Sequence, residues 1–421
     1  MFHPLRSPVT PVQDDLPLSF PQPPRRGAAL VAALSVFVAL ALYYAGHWAS
    51  LGEFVLAIDH HEQLFQDFLG HYYPMAQSIY EATAPVRGYF YSAFFAILLA
   101  PLKGLDPTAA LWAWGAVQVV LMLALFAFPL RRLLPMDWRA TALYAFVFAS
   151  SVPLLHNVKW GQVSVLLVLS VLASFQAYQR GWRVLAGTCL AFAAAIKYYP
   201  IVFLVYFLAR RDARVVMSTV LAGLLFFVIT PAVLMEPQRW LAYELATQKT
   251  LSDAGWALRD VNSQYVAHVL MRWLQGAGIA VRPLHLQLGA ALGYAVFLFN
   301  MSVVLALQYA HLRGRLLLSL VLIFVSLPFV IKTSWPHYFA YLPFCQMTLF
   351  MLTRQVQGGP VWRQAVGLGL VLLSVALSNF FVFDLFPDWR AFSHGGLLFG
   401  ANALLMLALY LQVLGAWRQA R

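Results

Sequence analysis

Two charged residues are the first candidates for chemistry, and one of them stands where a charge is costly. Lys197, in the run Ala-Ala-Ile-Lys-Tyr-Tyr-Pro, lies inside an apolar stretch, and an ionisable group at membrane depth is a functional candidate by default. An ammonium flanked by tyrosines at a broken helix would suit an anion such as a lipid phosphate. A lysine that snorkels to the interface, or that serves a structural ion pair, satisfies the same pattern. Asp67 is the second charge. It opens Asp-Phe-Leu-Gly-His-Tyr-Tyr-Pro-Met-Ala-Gln-Ser-Ile-Tyr, residues 67–80, which reads as an amphipathic helix on the membrane surface. A carboxylate there is either a site group or simply the cap of a helix N-terminus.

Other clusters add polar chemistry. Asp59, His60, His61, Glu62 and His71 share a loop with Asp67. The paired histidines with neighbouring acids have metal-ligand types, but adjacent residues chelate poorly from one face, and solvated loop residues are the competing reading. No metal and no cofactor is indicated. His156-Asn-Val-Lys-Trp-Gly-Gln162 offers a cation at Lys159 with Trp160 and Gln162. Asp260-Val-Asn-Ser-Gln-Tyr265 offers Asn262 and Gln264, and Lys332-Thr-Ser-Trp-Pro-His-Tyr338 offers Trp335 and His337. Each alone reads as a loop or an interfacial aromatic belt. Falling on one side of the membrane together, they become candidates for a site.

The elements that must position them are set by composition. Of 421 residues, 62% are hydrophobic and 10% charged, against about 25% charged in an average soluble protein. A charge at a bilayer centre costs roughly 2.5–3.5 kcal/mol on insertion scales, which explains the deficit. The expectation is an all-α polytopic membrane protein of about ten to twelve helices, each needing about 20 apolar residues to cross. Candidate spans are 28–46, 108–130, 141–156, 162–179, 215–235, 286–310, 316–331, 338–353, 364–383 and 395–415. The net charge is +12, yet the basic residues form short clusters between apolar stretches, as in cytoplasmic loops. No basic patch is interleaved on one face, which argues against nucleic acid. Cys189 and Cys345 fall in apolar stretches and read as inert thiols.

Residues 1–26, rich in Pro without an apolar run, read as a disordered cytoplasmic tail, and 27–421 as a single membrane domain. Arg25 and Arg26 inside send the first helix outward, leaving 47–107 and 236–285 as long extracytoplasmic loops. The aromatic-rich piece 89–102 is too short to span and reads as an interfacial or re-entrant helix. Residues 184–209 have basic flanks on both sides and hold Lys197 and Pro200 near the middle. Two half-helices meeting at Lys197–Pro200 keep both ends inside; a single span would place one basic end outside. The broken hairpin is the preferred expectation. No inverted internal repeat is visible.

In combination these pieces resemble glycosyltransferase family 87, membrane enzymes of the GT-C fold. The resemblance rests on Asp67-Phe68 followed by Tyr72-Tyr73, on Gly161-Gln162, on Ala194–Pro200, and on Ser334, Trp335 and His337. The chain departs from it with Asn262-Ser263-Gln264 in place of Asn-Gln-Ser, and with Tyr338 after His337 where a second histidine is frequent. The resemblance implies a GT-C-like bundle that transfers a mannose-like hexose or a pentose from a polyprenyl-phosphate donor to a lipid or glycan acceptor. Its setting would be the outer face of a bacterial plasma membrane, with membrane lipids around a monomer. It further implies Asp67 as general base. Lys197 would meet the donor phosphate with Lys159 and His337 assisting, or His337 would instead bind the acceptor or tune Asp67, and one displacement would invert the sugar. Tyr72, Tyr73, Trp160, Gln162, Tyr198, Asn262, Gln264 and Trp335 would contact substrate.

Two other classes compete. A transporter or flippase of lipid-linked sugars would spread ionisable residues along several spans, whereas here they gather at one face. A non-catalytic lipid-binding scaffold is open on sequence alone.

Overall fold

Backbone groups in hydrocarbon find no water to bond, so apolar segments must close their hydrogen bonds internally. The computed structural model describes residues 26–47, 64–134, 136–252, 260, 262–309, 314–355 and 360–419. The expected N-terminal tail through residue 25, and Asp59, His60, His61 and Glu62, lie outside the described residues. Among the described residues every element is helical, and the one extended pairing is an isolated bridge between Ser151 and Asn379.

In chain order the helices are α1 (Arg26–Gly46), α2 (Tyr73–Ser78, continuing a π-helical turn Phe68–Tyr72), α3 (Ala93–Leu99) and α4 (Pro107–Arg132). Then come α5 (Trp138–Ala149), α6 (Val152–Trp160), α7 (Ser164–Gln179), α8 (Arg183–Ile196) and α9 (Leu204–Ala209). The 23-residue α10 runs Ala213–Met235. It is followed by α11 (Pro237–Ser252), α12 (Val266–Gly276), α13 (Pro283–Tyr309) and α14 (Arg315–Ser326). The chain ends with α15 (Leu342–Gln355), α16 (Val361–Leu377), α17 (Phe380–Phe383), α18 (Trp389–His394) and α19 (Leu397–Gln419).

Five of these, α1, α4, α10, α13 and α19, are long and apolar enough to cross a bilayer, and the bent pair α6–α7 makes a sixth if it is one span. Five shorter apolar segments among the described residues, 93–104, 183–196, 199–209, 315–329 and 361–377, run 10–17 residues when their 3₁₀ turns are counted. Several spans expected from hydropathy are therefore interrupted. On α4, Trp112, Val120 and Leu123 are exposed, and on α10 so are Leu221 and Val233. A soluble protein would not leave such stripes bare; lipid covers them. At the centre stands α14, buried on all sides from Arg315 to Ser326.

The short segments deserve a physical account because they build the site. Residues 183–209 form the broken hairpin expected from Lys197 and Pro200. Helix α8 stops at Ile196, Lys197 is extended (φ −144°, ψ 124°), and Pro200 opens a 3₁₀ turn, Tyr199–Phe203. Proline has no N–H to donate and disfavours helix at the residue before it. Both ends of the hairpin return to one place: Arg183 Nε lies 2.9 Å from an Asp212 carboxylate oxygen, and Arg210 Nε reaches the Tyr178 hydroxyl at 3.4 Å. Helix α8 also packs closely on α10. A Cβ on Gly187 would fall 2.0 Å from Ser218 Oγ and 2.6 Å from the Val215 carbonyl, so the approach requires glycine.

Two expectations need correction. Asp67 is not a cap: its backbone is helical (φ −70°, ψ −29°) and its side chain accepts no hydrogen bond from the helix N-terminus. The 67–80 helix does not lay its apolar face on the membrane. Phe68, Tyr72, Met75 and Ala76, spaced for one helical face, are fully buried in protein, with Phe68 stacked on Trp114 at 5.3 Å between ring centroids.

The hairpin generates a topology prediction. In a chain with Cys189 and Cys345 replaced, single cysteines at the exposed positions Arg180 and Arg214 are expected to react with an impermeant maleimide from the same side of intact vesicles. A cysteine at exposed Glu236 is expected to react from the other. Labelling of positions 180 and 214 from opposite sides would show a single span instead.

Candidate active site

A cavity of about 180 Å³ opens where the interrupted segments converge. The turn before α2 brings Asp67, His71 and Tyr72 to it, and the approach to α3 brings Phe90 and Tyr91. His156, Trp160 and Gln162 come from α6 and the elbow after it. Asp260 and Asn262 precede α12, while Trp335 and His337 precede α15.

The elbow between α6 and α7 is the fulcrum. The two helices meet at 120°, and Gly161 makes the turn with φ +67°. Side chains with a Cβ rarely adopt that conformation. A Cβ there would also lie 3.1 Å from both Phe65 Cβ and Trp114 Nε1. From α4, Trp114 Nε1 donates to the Gly161 carbonyl at 2.8 Å and Gln118 Nε2 to the Gln162 carbonyl at 2.9 Å. Asn157 donates to Gln118 Oε1 at 3.1 Å. These polar groups lie in the protein interior, where an unmade hydrogen bond costs about 1–3 kcal/mol. They hold the backbone that carries Gln162.

Gln162 then joins the two charges. Its amide N–H donates to Asp67 Oδ2. Its carbonyl oxygen accepts from Tyr72 at 2.8 Å and from Tyr91 at 2.6 Å. Lys197 Nζ donates to the Tyr91 hydroxyl at 3.2 Å and sits 4.4 Å and 4.2 Å from the ring centres of Tyr91 and Tyr338. Each such ring contact is worth about 0.5–2 kcal/mol to a cation held from water. Among the described residues no carboxylate pairs directly with Lys197. Burial raises the Asp67 carboxyl to about 7, with the hydrogen bond from Gln162 and the nearby Lys197 charge pulling the other way. His71 Nε2 lies 3.9 Å from Asp67 Oδ1. Its ring lies against Gly88, where a Cβ would meet it at 2.3 Å.

Not every candidate from the sequence reaches the cavity. Tyr73 turns to the Leu105 carbonyl at 2.7 Å. Tyr198 donates to Glu244 Oε2 at 2.9 Å, and Glu244 Oε1 accepts from the first N–H of α3, on Ala93, at 3.1 Å. Gln264 is fully buried, tied to Ser393 and to the Phe399 N–H. Lys159 is fully buried in α6 and does not line the cavity. These four sit in the supporting framework, and Lys197 too lies behind the lining, reaching it through the Tyr91 hydroxyl. Sequence reasoning missed Phe90 and Tyr91, whose aromatic run read only as an interfacial or re-entrant helix, and left His71, His156 and Asp260 without a role. Gln118 carried a readable signal, a lone amide inside an apolar span. Among the described residues no group of three His, Cys, Asp or Glu side chains is placed to hold a metal ion.

Comparison with known proteins adds a second line. The profile of glycosyltransferase family 87 matches residues 89–330, more than half of the chain. Over 157 residues the chain is 31% identical to the polyprenol-phosphate-mannose-dependent alpha-(1-2)-phosphatidylinositol mannoside mannosyltransferase of Mycobacterium tuberculosis, covering 33% of this chain and 36% of that relative. It is 25% identical over 356 residues to the protein of the same name from Mycolicibacterium smegmatis, covering 75% and 74%. The chain thus spans about a third of the first relative's length and about three quarters of the second's. No solved structure matches.

The elbow is testable by itself. Gly161→Ala forces a Cβ into a left-handed conformation and a filled space, and is expected to cost about 1 kcal/mol or more. A thermal melt of the purified protein in detergent checks it. An unchanged melting temperature would remove the elbow from the account.

Proposed function

Because the chain belongs to glycosyltransferase family 87, we propose that it transfers a mannose-like hexose from a polyprenyl-phosphate donor to a hydroxyl of a lipid or glycan acceptor. The observation that carries this reading is the joining of one carboxylate and one ammonium through Gln162 and Tyr91 beside a single cavity. The mycobacterial relatives, named for that class of donor and for a phosphatidylinositol mannoside acceptor, support it.

Asp67 takes the proton of the acceptor hydroxyl as its oxygen forms a bond to the anomeric carbon. The bond from that carbon to the phosphate oxygen breaks, and its electron pair leaves with the lipid phosphate. One displacement inverts the anomeric centre. Lys197 meets the charge that develops on the phosphate, with the Tyr91 hydroxyl beside it. Trp160 and Trp335 offer ring faces to the sugar. A general base works best with a pKa near the working pH, and a carboxyl raised to about 7 meets that demand. The basic residues at the hairpin ends, Arg180, Arg183, Arg210 and Arg214, favour a plasma-membrane orientation with the cavity outward.

Two expectations follow from the roles. Asp67→Asn is expected to lower kcat by roughly 10²–10⁴-fold, and Lys197→Met by roughly 10²–10³-fold, measured with radiolabelled polyprenyl-phosphate mannose. Full turnover by Asp67→Asn would end the base assignment. The pH profile supplies the sign. The base must be ionised, so activity falls as pH drops through about 7, well above an ordinary carboxylate. The Gln162 hydrogen bond lowers that value. In Gln162→Leu the acid limb is therefore expected to move to higher pH.

A further inference from the structure

Three buried ring nitrogens in one wall of the cavity have no partner among the described residues. Trp160 Nε1 donates to His156 Nε2 at 3.0 Å. An indole is a donor only, so that nitrogen holds the lone pair and the ring proton of His156 is on Nδ1. Nδ1 is buried and makes no hydrogen bond. Beside it His337 stacks at 5.5 Å between ring centroids, and neither of its nitrogens makes one. Both side chains are 2% exposed and line the cavity. Native proteins rarely leave buried polar atoms unpaired, and such groups call for an explanation.

A ligand that completes them must accept a hydrogen bond from His156 and both donate to and accept from His337. Neighbouring hydroxyls of a sugar ring do both. A phosphate only accepts, and Lys197 already serves that part of the site. The Tyr338 ring lies 4.2 Å from Lys197 Nζ and 5.1 Å, centre to centre, from the His337 ring, which puts the histidine next to the phosphate subsite, where the sugar bonded to that phosphate must lie. Resting on the proposed donor class, we infer that His156 and His337 read adjacent hydroxyls of the transferred sugar, with Trp160 fixing the His156 tautomer. His156 is then a specificity residue with an obligatory Nδ1 donor, and the Trp160 indole N–H is what orients it.

The test uses the full chain in lipid nanodiscs with polyprenyl-phosphate mannose and its 2-, 3-, 4- and 6-deoxy forms. The wild-type protein is expected to reject at least one deoxy donor by roughly tenfold to a hundredfold in kcat/KM, the effect of one buried hydrogen bond. His156→Leu should lose about that factor with the parent donor and no longer distinguish the two. His156→Asn, whose amide N–H stands near the Nδ1 position, should restore the distinction. Trp160→Phe should weaken it while keeping the fold. If the wild-type protein treats all deoxy donors alike, or if His156→Leu slows every donor by one common factor that Asn does not mend, the inference fails while the transferase reading survives. No transfer from the parent donor at all would overturn both.

Discussion

A carboxylate and an ammonium cannot sit inside an apolar bundle unless polar groups receive them, because stripping either ion of water costs several kcal/mol. Here they are not in direct contact. The donors run in one direction between them, from the Lys197 ammonium to the Tyr91 hydroxyl, from that hydroxyl to the Gln162 carbonyl oxygen, and from the Gln162 amide to Asp67. Each dipole in the chain therefore points its positive end towards the carboxylate, and linked hydrogen bonds aligned this way polarise one another. A direct ion pair would bring the two charges together. The hydrogen-bonded relay holds them apart instead, with the cavity beside Asp67, Gln162 and Tyr91. The same logic fixes the Gln162 amide: a carboxylate only accepts, so the nitrogen must face Asp67.

The relay works only if its members come from the right heights in the bundle, and the short helices set those heights. The tip of α3 meets the tip of α8, where the Ser92 N–H reaches the Ile196 carbonyl at 3.4 Å and its hydroxyl bonds the Ala195 carbonyl. Glu244 on α11 receives the N-terminal amide of α3 and the hydroxyl of Tyr198, the neighbour of Lys197. One carboxylate thus satisfies a helix start and anchors the turn that carries the ammonium. The residues that hold the site in register lie outside it, which is why Tyr198 looks like a substrate contact in sequence and structural in space.

What could be read from the residues follows a clear physical division. Helical class and membrane setting were legible, because hydrocarbon penalises every exposed backbone group and every charge, and that penalty shows in composition. Lys197 was legible for the same reason, as a charge that ought not to be there, whereas Asp67, in a polar loop, read as either a cap or a site group until the family resemblance singled it out. The break at Lys197–Pro200 was legible because proline acts through its own covalent structure. Tertiary partners were not. Nothing local tells that Gln264 bonds Ser393, or that the amphipathic face of 67–80 meets Trp114 rather than lipid, since an apolar face fits either neighbour. Aromatic residues hid best: Tyr91 contributes a hydroxyl to the relay and a ring to the cation, yet in sequence it belongs to an unremarkable interfacial run.

The interruptions themselves carry the deepest constraint. Irregular backbone at membrane depth is tolerated only where protein buries it or where it lines a polar cavity. This chain breaks at Gly161, at Lys197, before α3 and before α15, four places far apart in sequence. Were the breaks scattered, each would need its own set of partners for its loose amides and carbonyls. Gathered together two of them serve one another, as the Ala195 carbonyl does with Ser92, while the Gly161 and Gln162 carbonyls take their donors from the unbroken α4. Gathering them also collects the side chains that breaks favour, glycine, proline, amides and aromatics, around a single space. On this view the cavity follows from broken helices closing their hydrogen bonds in one place, and the charges occupy the polar interior that closure leaves.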